Sequence, residues 1–76
     1  MSAAVEDQVI LITGAASGIG KALVEGFLTD GARVMAVDVD EAGLATLKGD
    51  RLLAHVADVS DPEAVANMIR LAVTHF

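Results

Sequence analysis

The residues of this chain best suited to chemistry form the run Thr13-Gly14-Ala15-Ala16-Ser17-Gly18-Ile19-Gly20, placed directly after the apolar run Val9 to Ile12. An apolar strand, a glycine-rich turn and a helix start, in that order, make an anion site. The first amides of the new helix have no acceptor of their own, and the positive end of its dipole faces the turn. Gly14 permits the tight turn out of the strand. Gly18 has no Cβ, so a pyrophosphate can approach the backbone, and Gly20 lets the helix lie close to the strand. The spacing is G-x-x-x-G-x-G rather than the G-x-G-x-x-G of the common dinucleotide fingerprint. Asp38 closes a second apolar run, about 20 residues beyond the turn, where a carboxylate meets the ribose hydroxyls of a dinucleotide. A solvated loop acid, or the cap of a short following helix, is the other reading of Asp38.

The remaining polar residues carry weaker signals. His55 lies in an expected strand with no second His, Cys or carboxylate at ligand spacing, and reads as a satisfied or half-exposed strand residue. His75 falls in the last helical turn, where a cation suits the dipole. Glu41 and the acids near the chain start read as solvated surface. The sequence shows no paired carboxylates, no nucleophile with a base and no metal-ligand set, so no catalytic residue and no metal site are expected.

Three β-then-α units must position these residues. Val9 to Ile12 reads as the first strand, and the first helix runs from Gly18 to about Asp30, with Leu23, Phe27 and Val24, Leu28 at i, i+4 spacing. Gly31 is a C-terminal stop. Val34 to Val37 is the second strand. A short helix from about Asp40 to Lys48 turns Leu44 and Leu47 inward and is closed by Gly49. Leu52 to Val56 is the third strand. Ser60 and Glu63 have the spacing of a capping box, and Pro62 is tolerated in a first helical turn. Val65, Met68, Ile69, Ala72, Val73 and Phe76 then form an apolar stripe along the last helix. Strands alternating with helices imply an α/β fold with a parallel sheet and right-handed crossovers.

Four features together carry a resemblance: Thr13 to Gly20 after a strand, Asp38 ending the second strand, Asp58-Val59 ending the third, and the β-α spacing between them. On these the chain resembles the first third of the short-chain dehydrogenase/reductase family, whose members transfer hydride between nicotinamide and an alcohol or carbonyl. The resemblance implies a partial Rossmann fold: a three-stranded parallel sheet in order 3-2-1, with the first two helices on one face and the third on the other. The first strand is then an open edge.

The resemblance also implies roles for residues. Asp58 would accept from the adenine amino group and the Val59 amide would meet the ring nitrogen, although Asp58 could be a turn residue ahead of Ser60. Ile19 would line the pyrophosphate or nicotinamide pocket, or pack in the core, or both. Thr13 and Ser17 would brace the turn or bond phosphate, with bracing the safer reading for Thr13. Ser17 and Val39 stand where relatives that use NADP often carry a basic residue. Asp38 and Asp40 would repel a 2′-phosphate, so the expected cofactor is NAD. Arg33 is the one nearby cation, and it precedes its strand, at the opposite end of the sheet. The family's Asn-Asn-Ala-Gly stretch, its Ser and its Tyr-x-x-x-Lys pair have no counterpart, and the chain contains no tyrosine.

Composition sets bounds on this reading. With 76 residues the chain is at most one small domain. Hydrophobic residues make up 54% and aromatics only 3%, so the apolar mass is aliphatic, as in sheets buried on both faces. A net charge of −6 argues against nucleic acid or an anionic membrane as partner, but leaves room for an anion at a helix start. Cysteine is absent, which fits a reducing cytoplasm. Met1 to Asp7 lack the pattern of a secretory signal, and no apolar run is long enough to span a bilayer. The expectation is therefore a cytoplasmic chain forming residues 1–76 of one incomplete NAD(P)-binding domain. It would belong to a longer, homo-oligomeric dehydrogenase acting on a small alcohol or carbonyl, and would be inactive by itself. A stand-alone nucleotide-binding module, or a non-catalytic partner subunit, is the alternative.

Overall fold

The three aliphatic runs become three parallel strands, and each intervening polar or glycine-rich stretch becomes a turn into a helix. The computed structural model describes residues 5–76, so the first part of the stretch Met1 to Asp7 lies outside the described residues. The elements follow in the order β1 (Val9–Thr13), α1 (Gly18–Thr29), β2 (Arg33–Asp38), α2 (Glu41–Leu44), β3 (Leu52–Val56) and α3 (Pro62–His75). The sheet order is β1-β2-β3, as the resemblance implies, with Val9 opposite Arg33 and Val34 opposite Leu52.

β2 is the centre of the molecule. Val34, Met35, Ala36 and Val37 are fully buried, their side chains alternating between the two faces. Val34 and Ala36 join Ile12, Ala15, Val24, Ala32, Leu44 and Leu47 in a core under α1 and α2. Met35 and Val37 join Met68 and Ala72 in a second core under α3. Each fully buried Val or Met contributes roughly 1.5–3 kcal/mol relative to an exposed one. Mutations on β2 therefore reach both layers.

Local sequence sets the ends of the helices. α1 stops where Gly31 takes φ +89°, and its last carbonyls are closed by Gly31 N–H to Leu28 (3.1 Å) and Ala32 N–H to Phe27 (3.0 Å). α2 is shorter than its sequence suggests and ends at Leu44. The Thr46 hydroxyl donates to the Gly43 carbonyl at 2.7 Å and the Thr46 amide reaches the same oxygen at 3.2 Å, so that carbonyl is taken before another helical turn can form. Gly49 consequently lies in the loop before β3 and does not close the helix. Leu44 and Leu47 still point inward.

The capping box at Ser60 does not form. The Ser60 amide and hydroxyl both donate to Asp58 Oδ1, at 2.9 and 2.7 Å, and Asp61 instead caps α3 by accepting from the Glu63 amide at 3.0 Å. Asp61 wins because it stands immediately before Pro62, the first helical residue.

β1 is only partly covered. It has β2 on one side, and Val9 and Leu11 are exposed on its α3 face. With Ile69, Ala72, Val73 and Phe76 they line an apolar groove of about 300 Å³. The stripe on α3 thus divides: Met68 and Ala72 are buried, whereas Ile69 and Val73 lie open beside the sheet edge. Leu23, one of the inward candidates on α1, is exposed as well.

Candidate functional site

The glycine-rich turn leaves β1 at Gly14 with φ +66°, a conformation that L side chains rarely adopt. Ser17 caps α1, its hydroxyl donating to the Gly14 carbonyl at 2.7 Å and accepting from the Gly20 amide at 3.2 Å. The hydroxyl proton of Ser17 is thereby committed to the turn. Lys21 N–H reaches the Ser17 carbonyl at 2.8 Å. Among the described residues the amides of Gly18 and Ile19 have no acceptor, so two donors at the positive end of α1 are free to meet an anion.

Each glycine of the turn has a distinct surrounding. A Cβ on Gly20 would fall 2.0 Å from the Gly14 carbonyl oxygen, so the helix start and the turn touch backbone to backbone. A Cβ on Gly18 would meet nothing within 4 Å, so the space above it is open. Ile19 is 80% exposed, with its side chain beside the start of α1. Thr13 is exposed at the end of β1.

Asp38 sits at the end of β2 and reaches across to the turn. Its Oδ2 accepts from the Ala16 amide and its Oδ1 from the Asp40 amide, both at 3.0 Å. These bonds, that of Asp40 first and then that of Ala16, hold the carboxyl below the usual carboxylate range. A carboxylate offers about four acceptor positions, so each oxygen keeps room for another donor. Asp40 also caps α2, accepting from the Gly43 amide at 3.0 Å.

At the end of β3, Asp58 is held by Ser60. The Ser60 hydroxyl and then its amide lower the carboxyl's pKa, and both use Oδ1, leaving Oδ2 without a partner among the described residues. Gly14, Val37, Asp38, Val39, Ala57, Asp58 and Val59 line one cleft of about 180 Å³ at the carboxyl ends of the three strands. In open α/β sheets ligands bind at this end. The structure thus brings Gly14, Asp38, Asp58 and Val59 together in one cleft. Ser17, Gly18, Ile19 and Gly20 adjoin it at the start of α1.

Arg33 lies at the other end of the sheet. It is the first residue of β2, and its guanidinium donates to the carbonyls of Asp7 (2.8 Å) and Phe76 (3.4 Å). His55 is half-buried in β3. Among the described residues no group of three or more His, Cys, Asp or Glu is placed to hold a metal, and no helix is long and apolar enough to cross a membrane.

Two contributors escaped the sequence reading. Ala16 acts through its backbone amide, which no residue type announces. Gly43 lies where a Cβ would come 2.6 Å from both Ala16 Cβ and Asp40 Oδ2. A glycine inside an expected helix, at a propensity cost of about 1 kcal/mol, was its available signal.

Known proteins resemble this chain in sequence and in fold. The chain is 41% identical over 78 residues to a 2,3-dihydroxy-2,3-dihydro-p-cumate dehydrogenase of Pseudomonas putida, an alignment covering 93% of this chain and 30% of that protein. It is 44% identical over 75 residues to 3beta-hydroxysteroid dehydrogenase 2 of Eggerthella lenta, covering 91% of this chain and 29% of that one. The chain thus spans about a third or less of the length of these relatives.

Among solved structures, a 3-ketoacyl-(acyl-carrier-protein) reductase from Brucella melitensis complexed with NADH superposes with a TM-score of 0.90 at 38% identity, over 96% of this chain and 31% of that one. A short chain dehydrogenase/reductase from Burkholderia phymatum in complex with NAD gives 0.86 at 33% identity, over 92% and 27%. The sequence profile of the short chain dehydrogenases matches residues 8–76, so the strand, glycine turn and paired aspartates described above have a family, and the chain belongs to the short chain dehydrogenases.

Proposed function

We propose that residues 1–76 form the N-terminal part of a single NAD(P)-binding domain, and that this part holds the adenosine and pyrophosphate portions of NAD(H) for an oxidoreductase. When bound, the nicotinamide supplies the hydride acceptor or donor for an alcohol or carbonyl. In this reading the Gly18 and Ile19 amides meet the pyrophosphate, and Gly14 and Gly20 shape the turn. Ser17 contributes by locking that turn. Asp38 accepts from the ribose hydroxyls with the lone pairs that Ala16 and Asp40 leave free. Asp58 accepts from the adenine amino group through Oδ2, and the Val59 amide meets the ring. The observation that carries the reading is the single cleft that joins Gly14, Asp38, Asp58 and Val59. Two relatives of the same fold were solved with NADH and with NAD.

NAD is favoured over NADP in this proposal because Asp38 and Asp40 stand side by side, the Asp40 amide donating to Asp38 Oδ1, with Val39 between them. A 2′-phosphate there would face two carboxylates, no Lys or Arg lines the cleft among the described residues, and Arg33 is engaged at the far end of the sheet. The proposal extends to a cytoplasmic, homo-oligomeric parent that acts on a small alcohol or carbonyl. None of the chain's own residues is assigned a catalytic proton.

Calorimetric titration of NAD and NADP into the chain tests the reading. NAD is expected to bind more tightly, and Gly18→Val is expected to abolish binding while the fold survives, because the space above Gly18 is open. Equal affinity for both cofactors, or unchanged affinity in Gly18→Val, would overturn it.

A further inference from the structure

Gly43 lies outside the glycine-rich turn, yet it is pressed against it. A Cβ at this position would sit 2.6 Å from Ala16 Cβ and 2.6 Å from Asp40 Oδ2, where carbon atoms normally approach to about 3.5–4.0 Å. The two contacts differ in kind. Asp40 Oδ2 is the outer oxygen of the capping carboxylate, which can swing aside about its Oδ1 bond to the Gly43 amide. Ala16 Cβ is fixed to a backbone that the Asp38 carboxylate holds through the Ala16 amide at 3.0 Å. On the other side, Gly43 is fixed by its own amide bond to Asp40 Oδ1 at 3.0 Å, and Asp40 is in turn bonded through its amide to Asp38 Oδ1 at 3.0 Å. Turn, carboxylate and α2 therefore form a closed ring of contacts: Ala16 to Asp38, Asp38 to Asp40, Asp40 to Gly43, and Gly43 back to Ala16.

We propose that Gly43 is a positioning residue for the nucleotide site, its missing side chain letting α2 seat against Ala16 so that the Ala16 amide stays on the Asp38 carboxylate. This deepens the assignment of Asp38 to the ribose and rests on it. A glycine is helix-destabilising at a position inside α2, so the close approach accounts for a residue that helix formation alone disfavours. A side chain at position 43 forces α2 and the turn apart, and the hydrogen bond from Ala16 to Asp38 is the link that gives. The carboxylate then loses one of the two amides that aim it.

The test is Gly43→Ala alone, and Gly43→Ala combined with Ala16→Gly, which removes the methyl group in the way. Three quantities are read on the whole chain: the backbone amide shift at position 16, the NMR titration of the Asp38 carboxyl, and the calorimetric Kd for NAD. Ala16→Gly alone supplies the reference shift for the double variant. Gly43→Ala is expected to move the amide signal and bring the Asp38 titration back toward the ordinary carboxylate range. It should raise the Kd about ten-fold or more, because the carboxylate is no longer held ready for the ribose hydroxyls. The double variant is expected to restore all three. A folded Gly43→Ala with the parent's amide shift and Asp38 titration would overturn the proposal. So would a double variant that is no better than the single one, including the case in which neither folds. The amide and carboxyl signals are measured without cofactor, so their shift in a chain that fails to bind NAD would refute the nucleotide assignment and leave the positioning role standing.

Discussion

Gly20→Ala separates two physical readings of the turn by the sign of its effect. Helix propensity alone says that the change helps, by about 1 kcal/mol, since alanine is the better helix former. The structure says the opposite. The new Cβ would lie 2.0 Å from the Gly14 carbonyl oxygen, 2.8 Å from its carbon and 3.0 Å from Ala15 Cα, and all three are backbone atoms. A comfortable carbon-to-oxygen contact is about 3.3 Å, so turn and helix must part by roughly 1.3 Å. Overpacking of this kind costs roughly 1–3 kcal/mol. The bond from the Gly20 amide to the Ser17 hydroxyl, already 3.2 Å long, is lost with it, for about another 1 kcal/mol. After the propensity gain is subtracted, a net loss of about 2 kcal/mol remains, or a fall in Tm of roughly 8–16 °C for a domain this small. Gly26 is the internal control. It lies in the same helix, a Cβ there meets nothing within 4 Å, and Gly26→Ala should raise Tm by about 4–8 °C. Thermal melts of the three proteins, followed by circular dichroism, decide the matter. A Gly20→Ala protein as stable as the parent would refute the close contact.

Other outcomes follow from the same geometry. Asp38→Ala is expected to narrow the preference for NAD over NADP, read as the ratio of the two Kd values; an unchanged ratio would remove Asp38 from the ribose site. Asp7, Asp38 and Asp58 each have a folded-state pKa below the ordinary 3.8, Asp7 because of the Arg51 guanidinium 2.6 Å away. Their stabilising contribution is complete above the unfolded-chain value and is lost as pH falls through the folded values, so Tm should decline below about pH 4. A Tm that rises on acidification would contradict this. The chain by itself is expected to self-associate through the exposed β1 edge and the groove formed by Val9, Leu11, Ile69 and Val73. A single monomeric species across a concentration series in the ultracentrifuge would count against it.

Periodicity and glycine spacing made the fold legible. Three aliphatic runs and three turns into helices suffice for the element order, and the family resemblance supplied the sheet order that the structure has. What escaped sequence reading was competition between neighbouring polar groups. Ser60 has the spacing of a cap, but Asp58 lies two residues back and takes its hydroxyl, leaving the cap to Asp61. Thr46 ends α2 early by occupying the Gly43 carbonyl. Residue types along the chain do not rank such contests, because the winner depends on local backbone direction. At the site, Asp38 was legible as an acid closing the second strand, where it lines the cleft. Its bond to Ala16 was not, since a backbone amide has no letter of its own.

The central position of β2 also orders events in time. The bond between Ala16 and Asp38 spans 22 residues, and the seat of Gly43 on Ala16 is available once α2 exists. The clasp from Arg33 to the carbonyl of Phe76 spans 43 residues and must await the last helix. Short loops close faster than long ones. On a ribosome, which releases the chain from its amino end, the glycine-rich turn, Asp38 and α2 can therefore assemble on one face of β2 while the other face still waits for α3. Until that helix arrives, Met35 and Val37 are the exposed side of a nascent chain whose glycine-rich turn is already shaped.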